Sequence, residues 1–306
     1  MSPASKHQIV LLHGRGAKPN EAELRSLWIQ ALRAGLERDA PVQLPAFDAA
    51  DIHMVYFADH LRDFAEPGYD ETLDLDNRRQ TLKELMAKHK AKDFRRKHYE
   101  ALPGKTPLKE FAMDLSASLG LGRAAIRKAL PELQYYWDDN QHWSDAVLQP
   151  LTALLGGLMS AERNILLISH CMGSVLAWDS LWRITHEREN TAHEMKRITR
   201  WITMGSPLGS SAVRSKLAGA NESGTRRFPA VLNAWHNISA EDDYVCHDKT
   251  VADDFRAMLQ QRLIGDIRDH TIYNLSVRYG RSNPHSSLGY LIHPRTAQLL
   301  SEWLTD

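Results

Sequence analysis

The sequence predicts an α/β fold: a mostly parallel central sheet with helices on both faces and one helical insertion. Three observations carry this. Short apolar runs of β type alternate with amphipathic stretches along most of the chain, and such alternation builds a parallel sheet covered on both sides. One run, Ile165-Leu166-Leu167-Ile168, is apolar at every position, as a strand buried on both faces must be. Between Ala58 and Trp143 the alternation stops, far longer than an ordinary connection.

The elements follow in order. Ile9-Val10-Leu11-Leu12 is the first strand and ends in the glycine-rich turn His13-Gly14-Arg15-Gly16. From Glu21 to Arg38, Leu24, Leu27, Trp28, Ala31, Leu32 and Leu36 recur at helical spacing, which predicts the first helix. Residues Ile52 to Phe57 give a second core strand. The core domain is therefore 1–57 plus 144–306, and 58–143 is the insertion.

The insertion holds an acidic stretch (Asp70, Glu71, Asp74, Asp76), a basic one (Lys88, Lys90, Lys92, Arg95, Arg96, Lys97) and an apolar-periodic one from Leu108 to Leu119. Most of it reads as helix. A charge run is first of all a solvated face, but Phe94 and Tyr99 interleave with these cations, as membrane-surface helices pair basic and aromatic residues. After it, Val147, Leu148, Leu151, Leu154 and Leu155 form a helical stripe leading into Ile165. Further strands are expected at Trp201–Met204, Leu232–Ile238 and, last, Tyr273–Tyr279, followed by an amphipathic helix from Pro294 to Leu304.

Composition narrows the function classes. A chain of 306 residues with 43% hydrophobic content can bury a full core beside an insertion. The 38 basic residues balance the 38 acidic ones, so no bulk attraction to nucleic acid is expected. No apolar run approaches the roughly twenty residues of a membrane span. The first residues, Met1 to Lys6, carry no apolar signal region. Two distant cysteines make no disulfide framework. A cytoplasmic protein is the expectation. No H-E-x-x-H or similar ligand spacing, no P-loop and no dinucleotide fingerprint is present, so no metal or other cofactor is expected.

Chemistry enters at Ser169-His170-Cys171-Met172-Gly173, between the apolar run and the helical stretch starting at Ser174. This is the layout of a nucleophile elbow, a sharp strand-to-helix turn with the nucleophile at its apex. Ser169 and Gly173 supply the small residues that let strand and helix pass close together. Cys171 is then placed as the nucleophile, although a free cysteine is more commonly an inert, buried apolar group. Cys246 is taken as such a structural thiol.

The elbow, the His13-Gly14-Arg15-Gly16 turn and the segment Gly205-Ser206-Pro207-Leu208-Gly209 together resemble the α/β-hydrolase superfamily, whose usual elbow is G-x-S-x-G. This chain departs twice, with Ser169 for the first glycine and Cys171 for the serine. Thiol nucleophiles occur in a minority of the superfamily, including dienelactone hydrolases and polyhydroxyalkanoate synthases. The resemblance implies a catalytic acid and a histidine further along the chain, in that order.

Trp235-His236-Asn237 and then Asp243-Tyr244-Val245 resemble the family's Trp-x-Asn and Asp-Pro-Val elements, which makes Asp243 the acid and Asp242 its reserve. His285, between the expected last strand and last helix, occupies the place of the general base. Position selects it among 15 histidines, with His293 a poorer candidate. Backbone N–H groups of Arg15 and Met172 are implied as the oxyanion hole, supported by His13, Gly14 and Gly16 in the turn. The Arg15 side chain either meets solvent or reads an anionic substrate group.

The resemblance implies hydrolysis of a small-molecule ester or thioester through an acyl-Cys171 intermediate, with the insertion as a cap. Two alternatives stay open. One is acyl transfer by the same triad, and the other is a non-catalytic binding protein on a hydrolase scaffold.

Overall fold

Six parallel strands make up the sheet of this computed structural model: β1 (His7–Leu12), β2 (Asp51–Val55), β3 (Asn164–His170), β4 (Ile198–Met204), β5 (Leu232–Ala240) and β6 (Asp266–Ile272). Their order across the sheet is β2-β1-β3-β4-β5-β6. The structure describes residues 5–65, 68–88, 90–104, 131–138, 140–187, 197–246 and 248–305. The apolar stretch Leu108–Leu119 lies outside them.

Alternating side chains of each strand feed two cores, one on either face. Ile165 and Leu167 of β3 point into one, with Val10 and Leu12 of β1. Leu166 and Ile168 point into the other, with Ile9 and Leu11. A period of two with both faces buried is why these segments are apolar throughout. The first face is covered by helices α4 (Gln149–Ser160) and α5 (Met172–Glu187), and the second by α1 (Glu21–Asp39) and α6 (Pro294–Thr305). Helix α1 starts where Asn20 accepts the Glu23 N–H at 3.1 Å, a side-chain cap on an otherwise unpaired amide. It buries the predicted stripe from Leu24 to Leu36.

The architecture is a sheet of parallel strands with helices on both faces. Helical segments occupy the interruption: a 3₁₀ stretch at Ala58–Phe64, α2 (Glu71–Met86), short turns at Ala91–Asp93 and Arg96–Glu100, and α3 (Pro131–Asp138). Among the described residues no helix is long and apolar enough to cross a membrane.

One expectation is corrected. The last strand of the sheet is Asp266–Ile272 and not Tyr273–Tyr279, of which only Val277–Arg278 (β7) pairs, with Arg281–Ser282 (β8) in a separate ladder. Strand β6 is an edge strand bearing Asp266, Arg268, Asp269 and His270. Charges are tolerated and useful at an edge, and here they hid the strand's apolar pattern. Phe94 and Tyr99, moreover, are not offered to a surface. Both are buried, Phe94 beneath Arg38 and against His293 and Tyr99 donating to the Asp242 carboxylate. The cations around them stay outside, which is the solvated-face reading.

Candidate active site

The carboxyl ends of the strands set the site. Strand β3 ends at His170, Cys171 makes the turn, and α5 begins at Met172. Cys171 has φ of +53°, a left-handed conformation that costs an L-residue roughly 1–2 kcal/mol and calls for support. Its N–H donates to the Met204 carbonyl at 3.0 Å, and its carbonyl accepts the Ser174 N–H at 3.0 Å. The small residue at position 173 is explained by a backbone crossing: a Cβ there would lie 2.4 Å from the His13 carbonyl oxygen. Gly14 is equally constrained, since its Cβ would sit 2.7 Å from that of Cys171. The turn after β1 thus rests directly on the elbow. Ser169, the departure from glycine, has a use of its own: its hydroxyl accepts the Trp201 indole N–H at 2.9 Å and donates to Ser174 at 3.1 Å.

His285 and Asp243 arrive from other loops. The His285 Nδ1–H donates to Asp243, at 2.9 Å from Oδ2 and 3.0 Å from Oδ1. Asp243 is buried and accepts two further bonds, from Tyr290 Oη at 2.6 Å and from the Val245 N–H at 3.0 Å. A carboxylate so held fixes the imidazole tautomer and supports its positive charge. The Cys171 thiol lies beside this ring. Nε2 of His285 is buried, and no ordinary hydrogen bond completes it; such contacts commonly tighten only when substrate is present.

The electrostatics of the pair run in one direction. Burial pushes the Cys171 thiol up, but His285 and Arg15 outweigh it, so its pKa falls below the ordinary thiol value. Burial pushes His285 down, but Asp243 and Cys171 outweigh that, and its pKa lies well above the ordinary histidine value. Both shifts are one interaction seen from its two ends, each charge favouring the other. Position at the start of α5 adds the partial positive charge of a helix N-terminus.

Of the two N–H groups expected to form an oxyanion hole, that of Arg15 faces Cys171. Met172 is the first residue of α5, so its N–H has no intrahelical acceptor. His13 holds the turn: Nδ1–H donates to Gly14 O at 2.8 Å, Nε2 accepts the Phe57 N–H at 2.9 Å, and the ring stacks on Phe57 at 3.8 Å. Burial drives its pKa down to about 3, so the ring is neutral and serves as a brace. Lys18 ties the same turn together, donating to the carbonyls of Arg15, of Gly16 at 3.0 Å and of Ala17 at 3.4 Å.

Two candidates fall elsewhere. Asp242, the reserve acid, has φ of +62° and turns its carboxylate to Tyr99, away from His285. His293 is a core residue whose Nδ1 accepts the Arg295 N–H at 3.0 Å, with burial holding its pKa near 3. Cys246 is buried next to Asp243, and burial with that negative neighbour puts its pKa well up, as for a structural thiol.

A cleft of about 270 Å³ opens over His285 and His170. The core contributes Arg15, Lys18, Tyr244 and Arg278, while residues from the 58–143 region, Phe64, Tyr69, Arg78, Thr81 and Glu132, close the other side. Arg15 reaches across to Glu132 at 3.1 Å. His170 is fixed as the Nε2–H tautomer by donating to the His285 carbonyl at 3.0 Å. Sequence reasoning missed Tyr290, Lys18, His170, Arg78 and Glu132. Only His170, inside the elbow itself, carried a positional signal. Among the described residues no group of three or more His, Cys, Asp or Glu is placed to hold a metal ion.

No protein-family model matches the chain, and no curated protein matches it. Among solved structures it is similar to an S-formylglutathione hydrolase from Agrobacterium tumefaciens, at 12% identity and a TM-score of 0.38, over 99% of this chain and 84% of that one. That likeness is slight, and the site is defined by the chain's own sheet, elbow and loops.

Proposed function

We propose that this protein hydrolyses an ester or thioester through a covalent acyl-Cys171 intermediate. One observation carries the reading: the only cysteine at a strained strand-to-helix apex stands beside a histidine locked onto a buried carboxylate. In the proposed cycle the thiolate attacks the substrate carbonyl carbon, and the displaced π electrons move to the oxygen. That oxyanion is held by the N–H groups of Arg15 and Met172, donors typically worth a hundredfold or more each. On collapse the leaving alkoxide or thiolate takes the proton from His285 Nε2. Neutral His285 next takes a proton from water, whose oxygen attacks the thioester. The C–S bond breaks, the carboxylic acid leaves, and the thiolate–imidazolium pair is restored. The 58–143 helices act as the cap, since they line the cleft from above.

Single-turnover labelling with p-nitrophenyl acetate tests the reading. Mass analysis of tryptic peptides is expected to place the acetyl group on Cys171, with acylation slowed at least a thousandfold in His285→Ala and Asp243→Asn and little changed in Asp242→Asn. Acylation that is independent of His285 would reduce the chain to a scaffold. A substrate alcohol added in excess separates hydrolysis from acyl transfer by the appearance of ester product.

A further inference from the structure

His285 is held at its backbone as well as at its ring. Three consecutive carbonyls of its loop accept hydrogen bonds from two buried side chains. Asn274 Nδ2 donates to the carbonyls of Pro284 and Ser286, both at 2.9 Å. Between them, the His285 carbonyl accepts the His170 Nε2–H at 3.0 Å. Asn274 lies two residues after β6 and is fully buried, with its Oδ1 accepting the Ser276 N–H at 3.1 Å. Gly289 packs on it so closely that a Cβ there would fall 1.8 Å from Oδ1. Contacts on both sides therefore set the plane of this amide.

His170 links the same loop to the nucleophile. It precedes Cys171 in the elbow and is buried. Its ring centre lies 4.7 Å from that of His285. On the other edge Nδ1 meets the turn after β1: a Cβ at Gly14 would stand 2.5 Å from it. One imidazole thus touches the elbow, the Gly14 turn and the loop of the general base. Burial, with His285 and Lys18 nearby, holds its pKa well below the ordinary histidine value. A neutral imidazole has a single N–H, and the His285 carbonyl takes it. Nδ1 is buried with no hydrogen-bond partner, an unfavourable state for a polar atom. An aromatic hydrocarbon ring would fill this place without that penalty, so what the imidazole contributes is the N–H to His285.

We propose that His170 is a positioning residue: it ties the His285 backbone to the elbow and keeps the general base in register with the Cys171 sulfur, while Asn274 holds the loop on either side. The inference rests on the acyl-Cys171 reading for its effect on turnover, but the tie itself is testable without it. A ring fixed only through Nδ1 to Asp243 still pivots with its backbone. The bond on the carbonyl removes that freedom, and a misplacement of about 1 Å in a reacting group costs on the order of a hundredfold in rate.

The test uses the full-length protein. His170→Phe keeps a planar ring and removes the N–H. His170→Gln puts an amide nitrogen where Nε2 stood, and His170→Asn puts it at the Nδ1 position, short of the carbonyl. Thermal unfolding verifies that each variant is folded, and His170→Asn carries the comparison should His170→Phe fail to fold. The rate of Cys171 alkylation by iodoacetamide against pH is read first, because it needs no turnover. His170→Phe and His170→Asn are expected to move the profile upward by about one pH unit, a tenfold loss of thiolate below the thiol pKa, and His170→Gln is expected to restore it. With p-nitrophenyl acetate, kcat is expected to fall at least tenfold in His170→Phe and His170→Asn at nearly unchanged KM, and to recover in His170→Gln.

Superimposable alkylation profiles for His170→Phe, His170→Asn and the natural protein overturn the proposal whatever happens to Tm, since a ring that only fills space alters stability and not the pairing of Cys171 with His285. A shift that His170→Gln does not reverse also overturns it, because the N–H is then not the active feature. A natural protein that releases no p-nitrophenol removes the hydrolase reading, and the alkylation profiles still decide the role of His170.

Discussion

Gly205 offers a direct test of how the acid and histidine are seated. It lies at φ of +53° just after β4, and a Cβ added there would stand 2.9 Å from Asp243 Oδ2 and 3.1 Å from His285 Nδ1. Those distances are about half an ångström short of ordinary contact. Gly205→Ala therefore carries two costs: the left-handed backbone, about 1–2 kcal/mol, and the overpacking of the Asp243–His285 pair, about 1–3 kcal/mol. Gly280→Ala isolates the first, because Gly280 has φ of +72° with open space around it. At about 2 °C per kcal/mol for a chain of this size, Gly280→Ala is expected to lower Tm by a few degrees and Gly205→Ala by about two to two and a half times as much.

The functional readout is the rate of Cys171 alkylation by iodoacetamide against pH. Displacing the carboxylate weakens the imidazolium and so raises the thiol pKa. A rise of one pH unit corresponds to about 1.4 kcal/mol and lowers the thiolate fraction tenfold wherever the pH is below that pKa. Gly205→Ala is expected to move the alkylation profile upward by about one pH unit, with Gly280→Ala unmoved. Two superimposable profiles for Gly205→Ala and the natural protein would refute the seating of the pair described above.

Glu132→Gln is expected to speed Cys171 alkylation several-fold, because it loosens the Arg15–Glu132 contact across the cleft and leaves Arg15 to act on the thiolate; an unchanged or slower rate counts against that role. Asp179 accepts bonds from Tyr136 and from the Ala218 N–H at 2.8 Å, yet burial pushes its carboxyl up to about 6. The folded state thus holds this proton more tightly than the unfolded one, so the group's contribution is full below about pH 4 and declines as pH rises to 6, by about 3 kcal/mol at most. Urea unfolding of Asp179→Asn across pH 4–7.5 is expected to lack that decline relative to the natural protein, and parallel curves would exclude it. His13 and His293, held by burial near 3, act oppositely: their stabilisation is present above pH 6.5 and is lost as pH falls toward 3. Unfolding free energy is expected to drop from pH 6.5 downward, more steeply than Asp179 offsets, and a flat curve between 6.5 and 5 would contradict the neutral, buried rings.

Local sequence was sufficient wherever one segment both forms and uses its own pattern. The all-apolar Ile165–Ile168 run, the stripe from Leu24 to Leu36 and the Ser169–Gly173 elbow are such segments, since burial on two faces, helical spacing and steric closeness each leave a mark on neighbouring residues. Strand β6 escaped because an edge position admits charges, so its pattern resembles that of a loop.

The sequence by itself determined the class of fold and the apex position of Cys171. Tertiary structure gave Asp242 and Asp243 different partners, because two adjacent carboxylates have the same chemistry and only the loop conformation sends one to Tyr99 and the other to His285. It also decided what surrounds the thiol. Tyr290 on Asp243 and Arg278 on Asp74 meet across separations of 47 and 204 residues. Electrostatic coupling depends on distance in space, and only folding sets the distance between residues so far apart in the chain.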